Sequence, residues 1–216
     1  MTEIVLVRHG QANSAATDEA GYDQLSDLGR QQAVWLGDHL RGHGERFDRV
    51  ITGTLKRQQE TAQAMGYDKG ETDARLNELS YFALTQAVEA QHGIPAPQEA
   101  AEFARYLPEV MTYWEGGHLE NVPERFDEFA SRVTTLIDEV CTGHGRVLLV
   151  TSGGVISMIV RHVLMLDLAA TTKVMLHINK RSLHRLQYVH GGLMLGMFNA
   201  TPHLYSPDRA AARTFI

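Results

Sequence analysis

The apolar pattern begins with Ile4-Val5-Leu6-Val7, a continuous and largely β-branched run that stops at Arg8-His9-Gly10. It predicts a buried parallel strand that opens onto a loop. Leu25-Ser26-Asp27-Leu28-Gly29 offers cap chemistry for a helix running to about Leu40, with Ala33, Leu36, Gly37 and Leu40 on one face. The glycine-bearing turn Gly42-His43-Gly44 closes that helix. Phe47 to Thr52 predicts a second strand and Thr54 to Met65 a second helix, the strand-then-helix alternation of a parallel sheet.

Residues 66 to 121 break this rhythm with Gly70, Gly93, Pro95, Pro97, Pro108 and the Gly116-Gly117 pair. One helix is expected there, between Gln98 and Leu107, and the segment reads as a cap inserted into a single domain spanning residues 1–216. Helical spacing returns after Pro123 with Phe126, Phe129, Ala130, Val133, Ile137 and Val140. Arg146 to Thr151 predicts a third strand, and Ser152-Gly153-Gly154 leads into a helix over Val155 to Leu166. Extended runs are expected at Val174 to Ile178, Leu183 to Val189 and Leu193 to Phe198, with Gly191-Gly192 as a hairpin turn. The fold class that follows is a three-layer α/β/α arrangement with a mainly parallel sheet and a helical cap.

Composition narrows the function classes. Of 216 residues, 44% are hydrophobic and 21% charged, as in an ordinary globular chain. The net charge of -6 provides no basic field for a nucleic-acid backbone, so no nucleic-acid partner is expected. Cys141 is the single cysteine and excludes an internal disulfide. The apolar start is too short and lacks the basic residues of a secretory signal, and Val155 to Leu168 is interrupted by Arg161, His162 and Asp167. The expectation is a soluble cytoplasmic protein with no membrane partner; a homodimer is left open.

Ligands of open parallel sheets bind beyond the carboxyl ends of the strands. Three loops leave those ends here: Arg8-His9-Gly10, Thr52 to Arg57, and Thr151-Ser152-Gly153-Gly154. Arginine forks match phosphate oxygens, and helix N-termini add N–H groups and positive dipole ends. Two guanidinium charges beside His9 would lower its pKa and keep its imidazole neutral, as a nucleophile requires. No His-Glu-x-x-His pair or comparable spacing suggests a metal, and no cofactor is expected.

The chain resembles the histidine phosphatase superfamily, the phosphoglycerate mutase-like group, whose signature begins with a strand ending in Arg-His-Gly. Residues 4 to 10 match that signature, and Leu25 to Ala33 resembles the family's Leu-Ser/Thr-x-x-Gly-x-x-Gln-Ala helix start. Thr54 to Ala62 resembles the second arginine motif, and Arg75-Leu76-Asn77-Glu78 resembles the segment that supplies the acid. The resemblance implies that His9 becomes phosphorylated, that Arg8 and Arg57 bind the transferring group, and that Glu78 protonates the leaving oxygen. It also places Ser152 where the family's usual pattern has a second histidine, with Ser152 and Gly153 left to bind phosphate. Losing one preorganised donor of this kind costs roughly a hundred- to a thousandfold in rate. His177 and His184, in a segment resembling the strand and turn beside the family's active site, are candidate replacements.

The implied activity is phosphomonoester hydrolysis on a small phosphorylated substrate through a phosphohistidine. Its rivals are a noncatalytic or weakly active phospho-ligand-binding protein of the same fold, favoured by Ser152, and a mutase. A mutase needs a further phosphate clamp, yet between Glu78 and Val122 there is no lysine and Arg105 is the one arginine.

Overall fold

Strands β1 (Thr2–Arg8) and β4 (Gly145–Thr151) lie side by side in parallel register, Val5 opposite Leu148 and Arg8 opposite Thr151. Their side chains alternate between two buried faces, which sets up the layers. Ile4, Leu6, Val147 and Leu149 face one core, while Val5, Val7, Leu148 and Val150 face another. A strand buried on both sides needs the unbroken apolar runs that both segments carry. The structure is a computed structural model that describes residues 2–13, 16, 18–97 and 99–212.

After β1 come the short α1 (Glu19–Tyr22) and α2 (Asp27–Gly42), then β2 (Arg49–Thr52), α3 (Lys56–Ala64) and β3 (Glu71–Thr72). Ser26 caps α2 as expected, accepting a 3.0 Å bond from the Gly29 N–H. A 3-10 turn over Ala74–Leu76 leads to α4 (Tyr81–His92), α5 (Ala100–Glu115) and α6 (Phe126–Thr142). Beyond β4 lie α7 (Gly153–Leu164), α8 (Leu168–His177), β5 (Leu183–Val189) and β6 (Gly192–Ala200). The six strands run in the order β3-β2-β4-β1-β5-β6. The first four are mutually parallel, whereas β5 and β6 are antiparallel to their neighbours. His190 and Gly191, both at positive φ, turn the chain between them.

The helices α2 and α3 cover the core around Val5 and Val150, and α4 to α7 pack on the core around Ile4 and Leu149. The chain therefore leaves β1 toward one face and the adjacent β4 toward the other. Such a divergence opens a crevice at the strands' carboxyl ends.

Three expectations are corrected. Val174 to Ile178 is not extended, because α8 runs through Leu168–His177 with Asp167 capping the Ala170 N–H at 2.7 Å. The segment after residue 66 holds two helices among the described residues instead of one, and Glu71–Thr72 joins the sheet edge. Pro108 does not end α5, which continues to Glu115 because Tyr106, Leu107, Val110, Met111 and Trp114 are all buried in the core. Gln98, the expected start of that helix, lies outside the described residues. Among the described residues, no helix is long and apolar enough to cross a membrane.

Candidate active site

His9 follows the last residue of β1, and its N–H donates to the Thr151 carbonyl at the end of β4 at 2.8 Å. The ring is 1% exposed. Its Nδ1 lies 2.7 Å from the Gly10 carbonyl oxygen, which only accepts, so in the neutral ring Nδ1 carries the proton and Nε2 keeps the lone pair. Burial pushes the imidazole pKa well below its ordinary value, and the charges of Arg57, Arg8 and Lys180 push the same way against the Gly10 hydrogen bond. The expected direction is found, although burial is the larger cause. Nε2 makes no hydrogen bond with a described residue.

Arg8 is anchored through Nη1 to the Ile178 carbonyl, and its Nε is buried without a partner among the described residues. Burial lowers its pKa, opposed by Tyr22 and Glu78 and reinforced by Arg57. Arg57, 1% exposed, comes from the first turn of α3. Asp23 holds it from α1's far end, accepting from Nη1 at 3.1 Å and also from the backbone N–H groups of Lys56 and Arg57 at 2.9 and 3.1 Å. Asp23 thereby caps α3, whose own N-cap, Leu55, has no side-chain acceptor. The guanidinium carbon stands 5.0 Å above the Tyr22 ring, and Nε is again buried and unpartnered among the described residues.

Glu78 reaches the site from the segment after the 3-10 turn. Its Oε2 accepts from the Gly154 N–H in the first turn of α7 and Oε1 from the Leu79 N–H, both at 3.1 Å. A Cβ on residue 154 would lie 2.3 Å from Oε1, so only glycine lets the carboxylate sit so close to the helix. Arg132 of α6 braces the approach from behind, donating to the carbonyls of Arg75 and Asn77 at 2.7 and 2.9 Å. Gly153 is less constrained, since a Cβ there would meet the Arg8 guanidinium only in ordinary van der Waals contact at 3.4 Å.

A cavity of about 300 Å³ brings these groups together. Arg8, Arg57, Glu78, Gly153 and Lys180 line its polar part; Tyr81, Phe82, Phe103, Leu107 and Met175 line an apolar wall. His9 is not on the lining itself and is coupled to it through the charges of Arg8 and Arg57. Ser152 is not on it either. Fully buried, its Oγ accepts a 2.8 Å bond from Gln58 Nε2, whose amide also donates to the Leu76 carbonyl at 3.0 Å.

Neither candidate histidine lines the cavity. His177 ends α8 and contacts the Lys173 carbonyl through Nδ1, while both nitrogens of buried His184 are occupied, by Ser182 Oγ at 2.8 Å and the Asn199 N–H at 3.3 Å. Sequence reasoning missed Asp23, Gln58, Arg132 and Lys180. Of these, Gln58, inside the second arginine motif, and Lys180, inside the His177 to His184 segment, stood in stretches already marked for function, while Asp23 and Arg132 did not. Among the described residues no three His, Cys, Asp or Glu side chains converge as metal ligands.

The model of the histidine phosphatase superfamily (branch 1) matches residues 4–201. The chain belongs to this superfamily. Among curated relatives of the superfamily chain, the mitochondrial serine/threonine-protein phosphatase Pgam5 of Drosophila willistoni is 28% identical over 155 residues, covering 67% of this chain and 47% of the fly protein. A broad-specificity phosphatase of Saccharomyces cerevisiae is 29% identical over 167 residues, covering 73% of this chain and 68% of the yeast protein. The chain thus spans about half the length of the fly relatives it matches. A mutant phosphoserine phosphatase of Entamoeba histolytica, solved in complex with phosphoserine, has a TM-score of 0.70 at 19% identity, with coverage of 94% of this chain and 100% of the other. Mycobacterial hydrolase 2 has a TM-score of 0.69 at 22% identity, with coverage of 97% and 95%. These likenesses establish the phosphoglycerate mutase-like α/β fold.

Proposed function

We propose that this chain is a phosphatase that hydrolyses small phosphomonoesters through a phosphohistidine on His9. The observation that carries the reading is the neutral His9 imidazole, its Nε2 lone pair unengaged, within the field of two anchored guanidinium groups that line a cavity. Arg8 and Arg57 each keep a buried Nε donor for phosphate oxygens. The N–H groups at the start of α7 and the helix dipole add to the field.

In the first step His9 Nε2 forms a bond to phosphorus as the ester O–P bond breaks, and protonated Glu78 gives its proton to the leaving alcohol. In the second, water attacks the phosphohistidine and passes a proton to Glu78, releasing inorganic phosphate and the neutral ring. The steps require no metal or organic cofactor. Ser152 stands in this reading where the superfamily carries its second histidine, and α4 with α5 forms the cap that shapes access. The phosphatase names of the fly and yeast relatives support the reaction class. A small phosphorylated substrate agrees with the phosphoserine-bound relative. A cytoplasmic site of action is retained from the sequence, although the fly relatives are named mitochondrial.

Incubation with p-nitrophenyl phosphate tests the proposal: wild type turns it over and His9→Ala does not. Equal, background-level rates in both defeat the hydrolase reading. A noncatalytic phosphate-binding role is the second reading, favoured by Ser152 being tied to Gln58 outside the cavity lining; it predicts phosphate binding without turnover.

A further inference from the structure

Lys180 lies between the Ile178 carbonyl that anchors Arg8 and the start of β5. Its side chain lines the same cavity as Arg8, Arg57, Glu78 and Gly153. The residue is 6% exposed, and its ammonium makes no hydrogen bond or ion pair with any described residue. A buried cation without a counter-charge is costly to keep unless a ligand supplies one.

Charged and titratable groups face it from every side. Arg8 and His9 come from the end of β1, Tyr22 from α1, Arg57 from α3, and Arg181 from its own segment. Glu78 is the sole carboxylate on the described lining, and its oxygens already accept from the Leu79 and Gly154 N–H groups. Burial, Arg8 and Arg181 pull the Lys180 ammonium down to about 8. The His9 ring in turn feels the charge of Lys180.

We propose that Lys180 is the third cation of the phosphoryl pocket, donating to a phosphate oxygen left uncovered by Arg8 and Arg57. The proposal rests on the phosphatase reading of this cavity. It supplies the positive donor that Ser152, engaged by Gln58, does not present there.

Inorganic phosphate is the probe, titrated calorimetrically into wild type, Lys180→Met and Lys180→Arg. Losing one charge-assisted bond weakens phosphate binding about ten- to hundredfold in Lys180→Met at pH 7, while Lys180→Arg stays within a few-fold of wild type. The ammonium is charged below its pKa, so the ratio of wild-type to Lys180→Arg affinity falls as pH rises through about 8. Taking the ratio cancels the titration of phosphate itself, and the arginine variant keeps the test decisive if the methionine variant misfolds.

Equal phosphate affinity in wild type and Lys180→Met overturns the inference while leaving hydrolysis intact. So does a loss confined to phosphoserine with phosphate unaffected, because Lys180 then holds a second anionic group. Phosphate binding that depends on Lys180 in a protein without turnover supports the inference and defeats the hydrolase reading instead.

Discussion

Gln58 and Ser152 are locked together inside the protein: the Gln58 amide spends one hydrogen on Ser152 Oγ at 2.8 Å and the other on the Leu76 carbonyl. Ser152→Ala leaves one of those hydrogens without an acceptor in a wholly buried place. The expected cost is about 1 to 3 kcal/mol. At roughly 2 to 4 °C per kcal/mol for a chain of this size, thermal unfolding detects it. Ser152→His is expected to raise turnover of p-nitrophenyl phosphate, and more so combined with Gln58→Ala, which clears space for the ring. Rates unchanged or lower in both would mean that serine is adapted to this pocket.

Asp23 serves two ends at once, capping α3 and orienting Arg57. Asp23→Ala removes both functions, lowering stability by about 1 to 2 kcal/mol and kcat/KM by about ten- to hundredfold. Asp23→Asn keeps one acceptor oxygen and loses less of each. Matching kinetics in wild type and Asp23→Ala would show that Arg57 needs no brace.

Gly154→Ala drives a methyl group into the seat of the Glu78 carboxylate. Proton delivery by a positioned acid contributes about a hundred- to ten-thousandfold, so kcat should fall by about a hundredfold or more while KM changes little. Alanine suits a helix better than glycine by roughly 1 kcal/mol, so the melting temperature should not collapse. An unaltered kcat would contradict the role given to that seat.

His203 is buried with no hydrogen-bond partner for either nitrogen among the described residues, and burial, reinforced by Arg181, His39 and Arg209, pushes its pKa down to about 3. The unfolded chain takes up a proton near pH 6.5 and the native ring does not, so the unfolded state binds more protons between those values. Stability therefore falls as the pH drops below about 6.5, by about 1.4 kcal/mol per unit from this group alone. In urea unfolding at pH 7 and pH 5, His203→Leu should shrink the loss by about 2 kcal/mol; an identical loss refutes the assignment.

What could be read from the chain beforehand was whatever is written in local periodicity. The apolar runs at Ile4 to Val7 and Arg146 to Thr151 carry strands, and Ser26 marks the start of α2 as its chemistry suggests. The helix α4 was missed because Tyr81–His92 buries only Leu84, Thr85 and Val88 and shows no clean stripe. The helix α8 is hidden because the run Val174 to Ile178, with β-branched residues at both ends, favours extended chain, a preference that the Asp167 cap and packing against α7 and α5 override. His9, Arg8, Arg57 and Glu78 announce themselves by motif. Asp23, Gln58, Arg132 and Lys180 do not, because each acts on a partner far along the chain or through burial, and neither is encoded in spacing.

The reversal of direction at β5 has a consequence for how the protein is made. Because that strand runs against β1, the Lys180 to Ser182 corner meets the exit of the first strand, where the Arg8 N–H bonds the Ser182 carbonyl. A nascent chain that has emerged only as far as β4 already carries His9, Arg8 and Arg57 but lacks the Gly153, Met175 and Lys180 side of the cavity. The cavity is therefore completed late on the ribosome, only once the segment from α7 to the start of β5 has emerged.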